Sequence, residues 1–484
     1  MLGHQQCPRF WLYKNFKIDI VQGNPTTNSL QPKLGLRAAS FLVISVIIGS
    51  GVFKKIAPMA QELGTPWLIL VCWFIAGIVS LAGALCTAEL VSMYPNSGGE
   101  YNYFQKIYGR FFSFLYGWAS FTVIKTAAIS ALAYIFAQSL NSLFPLPVLD
   151  LNYTFLGLHL FENLSIKLLA ALLILLLTML NYRGVQFAER LSSVLTYAML
   201  IAIAFFLIVG LSSEHGSMTN LTTAAKGSTT GLNGWTLMKA LFLASLGAFW
   251  GYDGWNNIAF IGEEIKNPKR NLPLALGLGT LGVMAVYVLI NFVFLYVLPI
   301  DYFIQLNETP NKIAAVEVAG QISGSVGMVL VACLILVTTL NSTNSSILMS
   351  ARMLYAMARD KTFFHQAVSV HPKYNTPDKA LFIQAFWAIL LVFSGSFDQL
   401  TDMLVFAAFL FYAATAFGLM YLRFKAPAAD RGYKVIGYPV VPILFLLFCI
   451  IICVMTLINQ PYEALMGLAL IASGLPVYWW LGRK

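Results

Sequence analysis

The stretch VISVIIGSGVFKKIAPM, Val43 to Met59, decides the fold. It lies in a run apolar enough to cross a bilayer, yet Gly49-Ser50-Gly51 sets poor helix formers mid-run and Lys54-Lys55 follows at once. In hydrocarbon an unpaired backbone N–H or C=O costs several kcal/mol, so a break is tolerated only where unwound backbone lines a cavity or is buried in protein. A second break matches the first, five spans later. In LGAFWGYDGWNNIAFIGEEIKNPKRNLP, Leu246 to Pro273, three glycines (Gly247, Gly251 and Gly254) interrupt the run around Trp250 and Asp253. Paired breaks at corresponding positions point to two five-helix halves of opposite topology, with a small zwitterion as the natural ligand. A half-helix starting near Gly51 offers N–H groups to a carboxylate, and carbonyls ending the first halves offer acceptors to an ammonium. Glycines also permit close helix packing, which is the plainer account of either break taken alone.

Composition sets the class. With 58% hydrophobic and 10% charged residues in 484, the chain is an integral membrane protein rather than a soluble domain. Apolar runs of about 20 to 28 residues suit helices, because barrel strands need only about 10. Twelve transmembrane helices are expected, at about 36–62, 66–94, 111–140, 166–181, 188–211, 236–262, 272–298, 325–351, 380–395, 400–422, 435–457 and 461–481. The domain reading is a tail (1–33), a first five-helix repeat (34–211), an inverted second repeat (236–422) and two additional helices (435–481).

The net charge of +10 reports topology rather than nucleic acid. If the N-terminal tail is cytoplasmic, the inside segments hold 23 of the 30 Lys and Arg, and the outside loops are acidic or neutral. Both termini are therefore expected in the cytoplasm, in a plasma membrane or a bacterial inner membrane. The first 33 residues carry Arg9, Lys14 and Lys17 and no long apolar core, so the first span is expected to act as the signal. Six cysteines lack metal spacing and read as small core residues, Cys7 apart, and all five histidines fall in the tail or loops. No metal site or cofactor is expected, and no enzyme. A nucleotide-driven pump would need GxxxxGK[ST], which is absent. GLGTLG, with Gly277, Gly279 and Gly282, matches GxGxxG but sits inside an apolar run, where helix packing explains it.

Four segments carry a resemblance: IIGSGVF (47–53), PNSGGEYNY (95–103), GYDGWNNIAFIGEEIKNPKRNLP (251–273) and NSTNSSILMSARMLYAMARD (341–360). They resemble the signature segments of the amino acid-polyamine-organocation superfamily, closest to L-type amino acid transporters and related bacterial permeases. The resemblance implies a LeuT-type fold with helices 1 and 6 broken, working by alternating access. It implies that Gly49, Ser50 and Gly51 take the substrate carboxylate through backbone and hydroxyl, that the carbonyls of Ile47 and Trp250 take the amino group, and that the Trp250 ring gates the site.

The departures from that pattern bear on mechanism. Asp253 stands where L-type sequences usually have Gly, and an acid inside a span is costly without a partner or a task. It either caps the following half-helix or serves coupling or substrate-charge recognition, and the two roles are compatible. Lys125 is a second charge within a span, with structural and coupling readings both open. Met199 stands where exchangers of this group place a Lys, so exchange by that route is in doubt. Thr338 and Thr339 occupy the place where sodium-coupled relatives supply hydroxyls, or else bond their own helix. Asn344, in the polar string Asn341 to Ser346, is expected to line the pathway or bond neighbouring helices. Glu89, Glu263 and Glu264 are either gate partners of Arg352 or Arg359, or solvated surface.

The expected function is a secondary amino acid transporter, with proton-coupled uptake first, sodium coupling second and exchange as the alternative. A transport-fold sensor is the reading from another class. The partners expected are an amino acid or amine and the lipid bilayer, with no nucleic acid and no partner protein indicated.

Overall fold

The computed structural model describes residues 32–482, apart from 97, 148, 150–153, 156–157, 160–161, 226–233, 310–311 and 395–396. Most of the expected tail, and Cys7 with it, lies outside the described residues. The α-helices run α1 (Leu36–Ile47), α2 (Gly51–Lys54), α3 (Ile56–Leu63), α4 (Pro66–Met93), α5 (Glu100–Tyr108), α6 (Arg110–Ala119), α7 (Lys125–Leu143), α8 (Leu164–Tyr182), α9 (Val185–Leu211), α10 (Met218–Thr222) and α11 (Gly234–Tyr252). They continue with α12 (Pro268–Val297), α13 (Ile300–Asn307), α14 (Ala314–Arg359), α15 (Asp378–Ser394), α16 (Phe397–Lys425), α17 (Val440–Asn459), α18 (Pro461–Ala472) and α19 (Gly474–Gly482). A π-helical turn, Ser120–Ile124, joins α6 to α7, and a 3-10 helix, Trp255–Glu264, follows α11. The departure from an all-helical chain is slight: β1 (Thr154–Phe155) and β2 (Leu158–His159) form a short antiparallel pair.

Among the described residues, 10 helical runs are long and apolar enough to cross a membrane, against the twelve expected. The two shortfalls have local causes. The stretch 380–395 falls on α15, which is only 17 residues long. In the stretch 236–262 the α-helix ends at Tyr252 and a 3-10 segment follows; α11, at 19 residues, matches Leu164–Tyr182 in length, so it falls short in apolarity, with Lys239 and several glycines in the run.

Helix ends follow chain chemistry. Gly64 closes α3 with φ 56°, a left-handed conformation that suits glycine, and Pro66 opens α4 where its missing N–H costs nothing. The 46-residue α14 bends at Ser323-Gly324, where Gly324 has φ 61° and ψ −148°.

Polarity is inverted relative to a soluble bundle. On α9, Ile201, Phe205 and Ile208 face outward at helical spacing, while Ser192, Thr196 and Met199 are buried. The interior is thus where the hydroxyls and amides lie, as lipid requires. Of the glycines in GLGTLG, Gly279 packs closest: a Cβ there would stand 2.6 Å from Val43 of α1, and α12 lies along α1 and α4. Four spanning cysteines are buried, whereas Cys333, expected in the core, faces outward.

Candidate functional site

The two breaks meet in space. Between α1 and α2, residues Ile48 to Ser50 leave the helix; between α11 and the 3-10 helix, Asp253 and Gly254 do so. The contact is so close that a Cβ on Gly51 would lie 2.5 Å from the Gly251 Cα, backbone against backbone. Gly254 turns at φ 105° and packs on Val46.

One cavity forms at this junction. Ile47, Gly49, Ser50 and Gly51 line it from the first break, and Trp250 and Asp253 from the second. Ala128 and Leu132 of α7, Asn257 and Ser346 complete its wall. It is tight, with about 20 Å³ open to the centre of a water molecule, little more than one water needs. Two of its polar atoms are buried and unpartnered: the Ser50 hydroxyl and the Asn257 carbonyl oxygen. Buried polar atoms normally find a partner, so these mark the wall that a polar ligand would satisfy.

A tyrosine that the sequence reading did not single out holds the breaks together. The Tyr287 hydroxyl of α12 lies 2.7 Å from the Ile47 carbonyl and 3.0 Å from that of Gly251. The Ile47 carbonyl also accepts from Gly49 N–H at 2.8 Å, so both its lone pairs are engaged. An ammonium reaching that oxygen has to displace one of them. The Trp250 carbonyl accepts from Asp253 N–H at 3.2 Å.

Asp253 accepts from the Tyr412 hydroxyl at 2.7 Å, and no cap bond from its side chain to the 3-10 helix is present. Lys125 does not reach it. Its ammonium donates to Asn256 Oδ1 at 3.3 Å, and Asn256 Nδ2 donates to Glu100 Oε2 at 2.7 Å, with the Tyr116 hydroxyl on the same carboxylate oxygen. Glu100, fully buried between the spans Pro66–Met93 and Arg110–Leu143, thus joins the same network, present in the quoted segment 95–103 but not singled out from it.

Asn344 lies away from the cavity. It accepts from Asn181 of α8 at 2.8 Å, while its neighbour Ser345 contacts Ser45 and Ser192. From α14 the cavity takes Ser346, while Ser342, one turn earlier, donates to the Val46 carbonyl of α1 at 2.9 Å. Thr338 and Thr339 donate to the Ile335 carbonyl of their own helix, at 2.9 and 2.6 Å. Met199 is wholly buried.

Charged layers close both ends. Next to the first break, Lys55 Nζ lies 2.6 Å from Asp398 and 3.2 Å from the Thr401 hydroxyl, and Lys54 Nζ donates to Gln138 at 3.1 Å. At the opposite end Arg352 meets Glu264 at 3.0 Å and Arg359 meets Glu263 at 3.7 Å. Glu89 has other partners, Arg423 at 2.6 Å and Arg431 at 3.1 Å, and also accepts from Val435 N–H.

Comparison with known proteins gives the arrangement a lineage. Residues 34–480 match the family described as amino acid permease. The chain is 31% identical to the serine/threonine exchanger SteT of Bacillus subtilis, over 94% of this chain and 98% of that protein. It is 30% identical to the human b(0,+)-type amino acid transporter 1, over 94% of this chain and 88% of that one. It is 27% identical to the human cystine/glutamate transporter, over 93% and 85% respectively. The chain therefore belongs to the amino acid permease family, within the superfamily that its signature segments resemble.

Proposed function

We propose that this multi-pass membrane transporter binds its amino acid at the junction of the two helix breaks and carries it by alternating access, in a LeuT-type frame of twelve helices. Family membership makes the chain an amino acid transporter rather than an enzyme. One observation carries the site: the unpartnered, buried Ser50 hydroxyl stands in a cavity where two broken helices abut. The substrate carboxylate takes the Ser50 hydroxyl and the N–H groups opening α2. The ammonium goes to carbonyls at the ends of α1 and α11, Trp250 closes over it, and Asp253 stands within reach of a charged group. In this reading Asn344 braces α14 against α8 and does not touch substrate.

Uptake coupled to a proton is the preferred energetics, with Asp253 as carrier, because its carboxylate lines the cavity and has one hydrogen-bond donor, Tyr412. The Glu100–Asn256–Lys125 network is the alternative carrier. Both termini are placed in the cytoplasm, in a plasma or bacterial inner membrane, by the distribution of Lys and Arg. A second reading, exchange of one amino acid for another, is favoured by the similarity to a serine/threonine exchanger. The relatives' names span neutral and acidic amino acids, so membership leaves the side chain open.

Counterflow into liposomes loaded with single amino acids, with and without a pH gradient, tests these readings. Stimulation by the gradient, abolished in Asp253→Asn, is the expected result. Counterflow that ignores the gradient in wild type favours exchange, and none for any amino acid refutes the site.

A further inference from the structure

Lys54 and Lys55 are adjacent, yet their surroundings differ. Lys55 is 2.6 Å from Asp398, bonded to Thr401, and faces Asp402 electrostatically. Lys54 has no carboxylate within ion-pair distance among the described residues. Its hydrogen-bond partner is the neutral Gln138 of α7, and Asp398, the nearest acid in its field, is already held by Lys55. An ammonium has three donors, so Lys54 keeps spare bonding capacity in a half-buried place where ion pairs are strong.

Position gives that capacity a direction. Lys54 lies three residues beyond Gly51 on the same short helix, hence on the same face and about 4.5 Å further along the axis. Gly51 lines the cavity, and Lys54 stands over the Phe397 ring, 4.7 Å from its centroid. Phe397 in turn meets the cavity residue Trp250 edge-on at 5.9 Å. Lys54 and Phe397 are outside the cavity lining itself, and Lys54 connects to it through Phe397, which packs on the lining residue Trp250.

We propose that Lys54 reads the side-chain carboxylate of the substrate, making the preferred cargo an acidic, dicarboxylic amino acid. The inference rests on the proposed transport site, in which the α-carboxylate sits at the start of α2. A second carboxylate on the same small molecule then falls about one helical turn away, where the Lys54 ammonium exchanges its neutral Gln138 contact for a charge-assisted one. Lys55 is the structural member of the pair, committed to the α16 seal.

The test is counterflow by the purified full chain in liposomes, using glutamate, glutamine, aspartate, asparagine and serine as probes. Acid and amide are nearly isosteric, so their rate ratio isolates the charge. Wild type is expected to favour each acid over its amide by about tenfold or more. Lys54→Gln is expected to cut that ratio by about tenfold, and Lys54→Arg to retain it. Amides or serine carried in preference to acids by wild type overturn the inference, and this result needs no variant to fold. A ratio unchanged in Lys54→Gln also overturns it. Movement of glutamine or serine with no glutamate leaves the transport reading standing and removes this one, whereas no movement of any probe removes both.

Discussion

The charged layers at the two ends of the bundle are built differently. Beside α2, the Lys55 side chain is 5% exposed but its partner Asp398 is 61% exposed, on the first turn of α16. At the other end Arg352 and Glu264 are 0% and 5% exposed, and Glu89 is completely buried between Arg423 and Arg431. A carboxylate that water reaches can leave its partner cheaply, because water replaces the lost contact. A buried one cannot, since separation strands a charge in low dielectric. The α2 end is therefore the easier one to open. The opposite end also ties down the chain entering α1, where the backbone N–H groups of Lys33 and Leu34 donate to the Glu264 carbonyl at 2.9 Å.

Removing one member of a buried pair tests that contrast most severely. Glu264→Ala leaves Arg352 charged and unpaired, and is expected to cost about 3–5 kcal/mol, read as a large fall in the melting temperature of detergent-purified protein. A loss no greater than that of Asp398→Asn breaks the comparison. Asp398→Asn keeps an acceptor for Lys55, so its cost is expected near 1 kcal/mol, with a faster opening of the α2 end in site-labelled protein. Raising salt from 0.1 to about 1 M is expected to mimic this variant in part and leave Glu264 pairs untouched. The smallest effect belongs to Lys269 and Asp430, 2.6 Å apart but 56% and 80% exposed. The Lys269 ammonium holds the Asp430 carboxyl below the usual carboxylate range. A depressed folded value means that any stabilisation is present above the unfolded carboxyl value of about 4 and is lost as pH falls through the depressed one. Asp430→Asn is accordingly expected to melt with wild type at neutral pH, and a resolved difference there would show that solvent screens this surface less than its exposure implies.

Much of the site's frame was readable along the chain. Gly49, Gly51, Gly251 and Gly254 announce broken helices because their residue type is wrong for the run they interrupt, and that mismatch is local. The string Asn341 to Ser346 was harder. All six residues are polar, so no amphipathic phase says which face meets the cavity. The helix places Ser346 there and Ser342 against the first break's Val46 carbonyl, and Asn344, two residues from each and about 200° around, faces α8 instead. Glu263 and Glu264 found the Arg359 and Arg352 partners that charge complementarity allowed, while Glu89 found Arg423 and Arg431, more than 300 residues away.

By itself the sequence determined the membrane class, the helical character and the location of both breaks, because these depend on composition and on runs of adjacent residues. Only the tertiary structure decided that Tyr287 clamps the carbonyls of both breaks, that Asn256 joins Glu100 to Lys125, and that Lys55 takes Asp398 while Lys54 does not. Each of these depends on which face of one helix meets which face of another. In a bundle whose helices are apolar nearly all round, that rotation is set by packing and by the need to satisfy every buried polar group at once, and neither is written in any single stretch of chain.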